Sequence, residues 1–428
     1  MNHAQQEVGD AGGARVMTRL DQLATCSSDQ SALTRLYLTP EHRQAIEMVS
    51  GWMRLAGMNV EIDETATLIG HYPGREPDAP VLILGSHIDT VRNAGRYDGN
   101  LGVVIAIEAV ATLHAAGEKL PFAIDVVAFG DEEGVRFPVT LTGSRALAGT
   151  LLPASLDVID RDGTTLRQAL LDFGCDPRRI PALGRDPKMT LGYVEVHIEQ
   201  GPVLESENLP VGVVTAINGA DRLRVDVEGE AGHAGTVPMG LRRDAGAAAA
   251  EMMLLIEAAA SSSDDLVATV GSFELQPGAV NVIPASARFT IDIRSPRDRE
   301  RTAAIADLTA RFRSIAHRRG VSVAVNETYA EPAARCDPRL VAEFDAALRT
   351  KGLHAHHLSS GAGHDGLAMV SLCPIAMLFV RCRGGISHNP AESVRTDDVG
   401  SALDVLIAFL RRLPCPLPSS NASVSGTS

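Results

Sequence analysis

The sequence lacks the residue patterns that mark several large classes of protein. Its six cysteines are scattered without a CxxC pair, which argues against a thiolate zinc cage or a disulfide framework and favours a reduced, cytoplasmic protein. Basic residues are too few for general nucleic-acid or anionic-membrane binding, since the formal net charge is −14. No apolar run approaches the ~20 residues of a membrane span. The N-terminal residues also lack the basic start and apolar centre of a secretory signal.

Several catalytic motifs are missing as well. No HExxH, GxSxG or GxxxxGK[ST] occurs, so the sequence offers no zincin helix, nucleophile elbow or phosphate-binding loop. The chain does have size and an ordinary globular composition, with 428 residues, 45% hydrophobic and 21% charged. This is enough for two or three domains, each with its own core.

The first half of the chain alternates between two periodicities. Apolar runs at 81–84 and 123–129 are typical of buried strands, and residues 102–116 have helical spacing. Such alternation predicts an α/β fold with a parallel or mixed sheet between helices. A composition change near residue 216 introduces strictly alternating strands and an Ala-rich helix, an order that fits an α+β sandwich.

The α/β pattern resumes after this sandwich, which therefore reads as an insertion. We expect a catalytic domain in two parts, 15–215 and 327–413, with an inserted domain, 216–326, between them. The tails, 1–14 and 414–428, are expected to be disordered.

The candidate functional residues centre on 81–102, VLILGSHIDTVRNAGRYDGNLG. His87 follows the apolar strand directly, and Asp98 follows a Gly-punctuated loop. Open α/β sheets bind their ligands at the carboxyl ends of strands, so this placement favours a metal site. Two alternatives stay open at this point: His87 as a hydrogen-bonded core histidine, and Asp98-Gly99-Asn100 as an ordinary turn.

Other strands end in similar side chains. The 123–129 strand leads into Glu132 and Glu133, and Glu195, His197 and Glu199 share one face of a later strand. An exposed strand face would explain that last pattern equally well. The full set of candidate ligands is His87, Asp98, one of Glu132 and Glu133, His197 and His388.

Imidazoles mixed with carboxylates suit Zn, Mn or Co better than Ca or Mg. Five ligands exceed the need of one four-coordinate ion, and a carboxylate that bridges two ions resolves the surplus. Of the adjacent acids, one would ligate and the other would act as general base. The residues therefore predict a dinuclear hydrolytic centre.

These same segments resemble a known family. GSHIDTV, YDGNLGV, DEEGVRFPVTLTGSRALAG, EVHIEQGPVLE, GHAGTVPM, NVIPASARFTIDIRS, SGAGHDG and GGISHNPAE are similar to segments of the N-carbamoyl-L-amino-acid amidohydrolases. That group includes allantoate amidohydrolases and bacterial β-ureidopropionases, and it belongs with the dinuclear-metal aminoacylases and carboxypeptidases. The match runs in the family's order from about residue 85 to 392, and HIEQGPVLE and ISHNPAE are specific to this branch.

The resemblance implies roles for individual residues. The implied ligands of two divalent ions are His87, Asp98, Glu133, His197 and His388. Asp98 would bridge the ions, Glu132 would be the general base, and Asp89 would orient His87. His233 would stabilise the oxyanion. The implied substrate-binding residues are Gln200, Asn281, Arg294, Gly363 and His364.

Ordinary structural roles would also account for three of these residues. Arg294 ends a strand, His233 lies between small residues in a turn, and Asn281 would serve as a strand cap. Two positions depart from the family pattern, Gly366 in place of alanine and Val237 in place of threonine. Neither is a proposed ligand, so they bear on substrate shape alone.

The expected activity is hydrolysis of a ureido C–N bond, with release of ammonia and CO2. The substrate would be an N-carbamoyl amino acid, N-carbamoyl-β-alanine, allantoate or ureidoglycolate, and Arg294 would hold its carboxylate. In this family the inserted domain forms a homodimer and closes as a lid. The alternatives are an aminoacylase or peptidase on the same centre, or a non-catalytic binding protein of the same fold.

Overall fold

The structure is a computed structural model, and it describes residues 3–415. The described residues form fifteen strands. In chain order these are β1 (Asn59–Ile62), β2 (Leu68–Tyr72), β3 (Val81–His87), β4 (Ala123–Phe129), β5 (Thr190–Ile198), β6 (Val211–Ile217), β7 (Gly219–Glu228), β8 (Gly232–His233), β9 (Val267–Gln276), β10 (Val282–Ile283), β11 (Ser286–Ser295), β12 (Ser322–Glu331), β13 (Ala334–Arg335), β14 (His357–Ser360) and β15 (Ile375–Val380).

The same residues form eleven α-helices. They are α1 (His3–Leu23), α2 (Pro40–Leu55), α3 (Asn100–Ala115), α4 (Thr142–Leu147), α5 (Leu166–Phe173), α6 (Val203–Ser206), α7 (Ala245–Ser261), α8 (Asp298–Arg319), α9 (Pro338–Thr350), α10 (Gly366–Met369) and α11 (Thr396–Arg412). Within the described residues, no helix is long and apolar enough to cross a membrane.

The chain divides into two compact units, 1–215 with 335–428, and 216–334. The second unit ends at 334, further along than the 326 expected from the sequence. The reason is the length of β12, which stays paired with β7 as far as Glu331, with a shift of register between Glu327 and Tyr329. Its later residues are more polar than the alternating stretch that marks the strand in the sequence.

The first unit is built on a nine-stranded sheet with the order β1-β2-β4-β3-β5-β15-β6-β13, and β14 pairs with β6. The four central strands β4, β3, β5 and β15 run parallel, and outer strands such as β2 and β6 are antiparallel to them. The predicted α/β fold with a mixed sheet is confirmed. Because parallel strands end at one edge, the loops that follow the central four meet there.

Local chemistry accounts for the helices that flank this sheet. Pro40 starts α2, and the side chain of Thr39 accepts a hydrogen bond from the backbone N–H of His42, a combination that favours helix initiation. Most of α3 is buried, since it packs against β3 and β5 and carries almost only apolar side chains.

One expectation about order is wrong. The stretch 1–14 is expected to be disordered, but 3–14 belong to α1, a helix that packs against α11, and residues 1 and 2 lie outside the described residues. Strands β1 and β2 form a hairpin, in which Asn59 pairs with His71 and Ile62 with Leu68. Of the expected C-terminal tail, 416–428 lies outside the described residues.

The second unit contains a four-stranded antiparallel sheet in the order β12-β7-β11-β9, and a short β8–β10 ladder. The helices α7 and α8 pack on the sheet and on each other. Alternating side chains of β7 and β11, such as Val225 and Phe289, are fully buried together with Met252 and Phe312 of the helices. This period-two burial is what the alternating sequence predicts.

Candidate metal centre

Three of the central strands deliver histidines or acids to the same edge of the first sheet. His87 is the last residue of β3, His197 lies one residue before the end of β5, and Glu132 and Glu133 follow β4. His388 lies in the loop after β15. The topology therefore brings together residues that are up to about three hundred positions apart in sequence.

Asp98 lies between the histidines, and its two oxygens face different partners. Its Oδ1 is 3.5 Å from Nε2 of His87 and 3.1 Å from Nε2 of His197. Its Oδ2 is 3.4 Å from Nε2 of His388, whose Nε2 is also 3.5 Å from Oε2 of Glu133. One carboxylate is thus shared by two groups of possible ligands.

Four groups of described residues could hold a metal ion, and two of them overlap at Asp98. The other two are His87 with Glu132 and Glu133, and Glu195 with His197 and His364. In each group, one ligand atom per residue lies within 4.8 Å of the others. Of the two that overlap at Asp98, the first cluster is His87, Asp98 and His197, and the second is Asp98, Glu133 and His388. The pattern of two ligand groups joined at one carboxylate is the one that the sequence predicts for a dinuclear centre.

Backbone carbonyls fix the orientation of the two buried imidazoles. Nδ1 of His87 is 3.0 Å from the carbonyl oxygen of Asp89, and Nδ1 of His197 is 2.9 Å from that of Ile198. A carbonyl oxygen only accepts hydrogen bonds, so each Nδ1 donates and each Nε2 faces Asp98. Nε2 of His197 also accepts a hydrogen bond from the backbone N–H of Gly99 at 3.2 Å.

Glycine is required in the turn that carries Asp98. Gly99 has a φ of 65°, and a Cβ there would lie 2.4 Å from the ring of His87. Any side chain would push the turn away from this histidine. Asp98 and Gly99 thus form a turn, as the sequence allows, and its packing against His87 requires glycine at position 99.

Asp89 touches more of the centre than expected. Its carbonyl, rather than its carboxylate, makes the close contact with His87, since Oδ1 is 3.6 Å from Nδ1. The carboxylate accepts hydrogen bonds from the backbone N–H groups of Glu132 and Glu133, at 3.2 and 3.3 Å. Asp89 therefore fixes the acidic turn as well as the imidazole.

The enclosed charges shift one another's pKa values. Burial raises the pKa of Glu132 well above its ordinary value, with Glu133 adding to the effect and His87 opposing it. Burial and then Asp98 raise the pKa of Glu133 to about 7. Histidines, with His197 foremost, hold the pKa of Asp98 well below its ordinary range against the effect of burial. A hydrogen bond to Asp98 raises the pKa of His388 to about 9. Burial thus opposes ionisation of the two glutamates, while the neighbouring histidines favour the ionised form of Asp98.

Glu132 lies beside the cluster and is mostly buried. Its Oε2 is 3.9 Å from Nε2 of His87, and its side chain is 12% exposed. With His87 and Glu133 it forms a further group of possible ligands.

The region around β5 differs from the sequence expectation. All of β5 is buried, so the exposed-face alternative for Glu195, His197 and Glu199 is wrong; the sheet is covered on both sides there. Glu199 accepts hydrogen bonds from the N–H groups of Val203 and Leu204, and Glu195 accepts from Ser86 and Tyr193. These two acids support the local backbone and side chains.

The predicted substrate residues of the first unit lie close to the cluster. Nε2 of Gln200 donates to Oδ2 of Asp98 at 2.7 Å. His364 is buried, with its ring centroid 4.5 Å from that of His197 and its Nε2 2.7 Å from the Ser360 hydroxyl. Gly363 lies next to it in the loop before α10. In this position His364 lines the deep wall of the centre.

The predicted residues of the second unit are arranged within that unit. His233 is exposed, and its Nδ1 accepts a hydrogen bond from the N–H of Gly235. It pairs across the β8–β10 ladder with Val282, and Asn281 precedes that residue. Arg294 is hydrogen-bonded to Asp292 on β11. The ladder thus places His233 and Asn281 side by side.

One buried cation escaped the sequence reasoning. Arg35 is 0% exposed, and its guanidinium donates to the carbonyls of Leu23, Cys26 and Ile88 and to the side chain of Asn100. It thus connects the carbonyl of Ile88, next to His87, with the side chain of Asn100, whose amide donates to the carbonyl of Asp98. An isolated arginine before a turn carries no motif, so only the long-range contacts reveal it.

The donor set fits divalent metal ions. Three imidazoles and mixed carboxylates are the preferred ligands of Zn, Mn and Co. Oε1 of Glu133 is buried without a hydrogen-bond partner among the described residues, as expected of an atom that awaits a cation. Asp98, Glu132 and Glu133 form ion pairs with histidines but with no described lysine or arginine.

Comparison with known proteins decides the family. A model of peptidase family M20/M25/M40 matches residues 83–412. The chain belongs to this family. The family resemblance seen in the sequence is confirmed, and this M20/M25/M40 protein is a metal-dependent hydrolase.

The relatives of this M20/M25/M40 enzyme indicate the subgroup of the family to which it is most similar. It is 40% identical to the N-carbamoyl-L-amino acid amidohydrolase of Geobacillus stearothermophilus, over 92% of this chain and 97% of that protein. It is 39% identical to the allantoate deiminase of Arabidopsis thaliana, over 92% and 81%. A crystal structure of a hydantoinase/carbamoylase family amidase from Burkholderia multivorans superposes with a TM-score of 0.87 at 30% identity, over 93% and 97%.

Proposed function

We propose that this enzyme hydrolyses the ureido C–N bond of an N-carbamoyl amino acid or a related ureido acid, such as allantoate or N-carbamoyl-β-alanine. The observation that carries the proposal is the shared carboxylate of Asp98, which joins a cluster with His87 and His197 to one with Glu133 and His388. The named activities of the relatives supply the chemical class, since they act on N-carbamoyl amino acids and allantoate.

In this proposal the five clustered residues hold two divalent ions, of Zn, Mn or Co. A ureido carbonyl is a poor electrophile because two nitrogens donate electron density into it, and the bound ions supply the Lewis acidity that it needs. Glu132 takes the proton of the attacking water and delivers it to the leaving nitrogen. The raised pKa of Glu132 favours the protonated form that delivers the proton.

The remaining residues bind and orient the substrate in our proposal. Gln200, Gly363 and His364 shape the pocket beside the cluster. His233 stabilises the oxyanion, and Asn281 binds the substrate amide. Arg294 anchors the substrate carboxylate through paired hydrogen bonds. Its present partner Asp292 pre-orients the guanidinium.

Two further proposals concern context. We propose a homodimer that forms through the second unit, supported by the edge strand β9 and by exposed apolar residues, Val280 at 103% and Leu254 at 66%. A cytoplasmic location is supported by the six free cysteines, five of which are buried.

The substitution Glu132→Gln tests the assignment of the base. It should leave the metal content measured by elemental analysis unchanged and lower kcat by at least about 10²-fold, because general-base catalysis contributes that much or more. The matched control is Glu61→Gln on β1, an exposed residue of the same type. If the Glu132→Gln protein turns over near the wild-type rate, Glu132 is not the base.

A substrate panel separates the proposed activity from the related one. Enzyme reconstituted with Mn, Co or Zn should release ammonia from one or more of N-carbamoyl-α-amino acids, N-carbamoyl-β-alanine, allantoate and ureidoglycolate. N-acetyl amino acids and dipeptides provide the contrast. Faster cleavage of these acyl or peptide bonds would establish an aminoacylase or peptidase instead, and no turnover of any compound would favour a binding protein.

A further inference from the structure

Glu392 occupies a buried position between the two loops that supply Asp98 and His388. Its side chain is 5% exposed. Oε1 accepts hydrogen bonds from the backbone N–H of Tyr97 at 2.7 Å and from that of Asp98 at 3.2 Å. Glu392 therefore holds the turn of Asp98 from behind, although 294 positions separate the two residues.

The other oxygen of Glu392 closes a ring of contacts. Oε2 is 3.1 Å from the hydroxyl of Ser387, which also lies 2.5 Å from Oδ2 of Asp98. The ring thus passes from Glu392 through the backbone of Asp98 to its carboxylate, and returns through Ser387. Since Ser387 precedes His388 directly, the ring fixes the separation between a shared carboxylate and an imidazole of the second cluster.

Packing leaves little room for either loop to move. A Cβ on Gly95 would lie 2.3 Å from the Cβ, Cδ and Oε1 atoms of Glu392, so the loop before Asp98 lies directly on this side chain. The loop of His388 is closed at its base, where the N–H of Arg383 donates to the carbonyl of Ser393 at 2.9 Å. His388 itself has a φ of 54°, a left-handed conformation that a non-glycine residue keeps only when its surroundings impose it.

We propose that Glu392 is a positioning residue of the metal centre, which sets the distance between Asp98 and His388. This inference rests on the proposed function in that Asp98 and His388 are metal ligands. Outer residues of this kind commonly contribute 10- to 100-fold to metal affinity. The contribution here falls on the second cluster, because His388 is its only imidazole.

The two variants Glu392→Ala and Glu392→Gln test whether the hydrogen bonds of Glu392 position Asp98 and His388. Alanine removes all three contacts. Glutamine keeps a carbonyl oxygen that accepts from Tyr97 and Asp98, and its amide N–H donates to Ser387, whose hydroxyl still donates to Asp98. We therefore expect rescue of metal binding by glutamine.

The experiment titrates Co2+ into each metal-free protein and follows binding by calorimetry and by the visible absorption of the bound ions. Glu392→Ala should weaken the binding of one of the two ions by about 10- to 100-fold and alter its absorption band. Glu392→Gln should remain within about threefold of the wild type. The control Glu108→Ala removes another buried carboxylate, which pairs with Arg15 and Arg19, and should leave both affinities unchanged.

Unfolding by urea shows whether a variant is folded. Where Glu392→Ala does not fold, Ser387→Ala breaks the ring by removing one hydroxyl, and it should weaken the same ion by at least about threefold. Wild-type affinity for both ions in Glu392→Ala, or equal losses in the alanine and glutamine variants, would overturn the inference. A wild type that binds two ions but hydrolyses no ureido acid would overturn the proposed function alone. A wild type that binds no ion would overturn both.

Discussion

The first sheet carries two arrangements of histidine and carboxylate that look alike in a list of ion pairs. One is the cluster at the carboxyl edge, around Asp98. The other lies across β2 and β4, where Nδ1 of His71 is 2.7 Å from Oδ1 of Asp125 and a guanidinium nitrogen of Arg185 is 3.1 Å from Oδ2. Both acids are buried, with 5% and 4% of their side chains exposed.

The two arrangements differ in charge balance. Asp125 already has Arg185 as a permanent counter-ion, and His71 is 43% exposed to water. At the edge, several acids converge on histidines without such a counter-ion among the described residues, and burial raises the pKa of both Glu132 and Glu133. Asp125 thus has a counter-ion of fixed charge, whereas the acids at the edge pair with histidines, whose charge depends on protonation. The convergence of several acids and histidines, rather than residue type, distinguishes the edge cluster as the candidate metal centre.

The largest expected effect comes from replacing one acid in each arrangement, Asp98 at the carboxyl edge and Asp125 on β4. Asp98→Asn should abolish measurable hydrolysis, with a loss of at least about 10³-fold, and should lower the metal content, because both clusters share this carboxylate. Asp125→Asn should retain both metal content and kcat within about twofold. Elemental analysis and steady-state kinetics measure the two effects. Full metal occupancy in Asp98→Asn would show that the shared carboxylate is not a ligand.

The second test adds a divalent metal ion to the protein. Addition of Mn2+, Co2+ or Zn2+ to the metal-free protein at about a thousand times the dissociation constant should raise the free energy of unfolding by about 4 kcal/mol. The physical reason is that the folded cluster binds the ion and the unfolded chain does not. Denaturant titrations with and without the ion measure the difference. An equal rise in the Asp98→Asn protein would place the binding site elsewhere.

The fold was largely predictable because its signals are local. Apolar runs mark β3 and β4 within a few residues, and β4 has the predicted bounds 123–129. The helix start at Thr39-Pro40 follows from capping alone. Errors occurred where long-range packing decides: α1 is a helix with a partner in α11, and both faces of β5 are buried although its sequence alternates.

The candidate site was predictable as a set of ligands and only partly as a structure. Strand ends and the family resemblance indicated His87, Asp98 and His197 together. Nothing local indicated Arg35 or Glu392, because each acts through backbone groups that lie far away in sequence. Contacts of this kind leave no spacing pattern, so the residues that support a centre are harder to find than those that form it.

A third test compares two arginines. Arg35 is fully buried and forms no ion pair within the described part of the chain, whereas the partly exposed Arg185 pairs with Asp125. Arg35→Met should lower the free energy of unfolding by about 3 kcal/mol, since it leaves buried carbonyls without a donor. Arg185→Met should cost at most about 1 kcal/mol. Urea unfolding measures both values. Equal losses of unfolding free energy in the two variants would show that the buried hydrogen bonds of Arg35 contribute no more than the partly exposed ion pair of Arg185.

The smallest expected effect concerns His71. The hydrogen bond to Asp125 raises the pKa of His71, with Glu61 adding to the effect and burial and Arg185 opposing it. A raised pKa in the folded state means that the protonated pair stabilises the fold fully below the ordinary pKa of about 6.5 and loses this contribution as the pH rises through the folded value. His71→Gln should therefore lower the free energy of unfolding at pH 5.5 by less than about 1 kcal/mol, because the pair is partly exposed. At pH 9 the difference from the wild type should be smaller still. If the loss of unfolding free energy in His71→Gln instead grows as the pH rises, the protonated His71–Asp125 pair does not stabilise the folded protein.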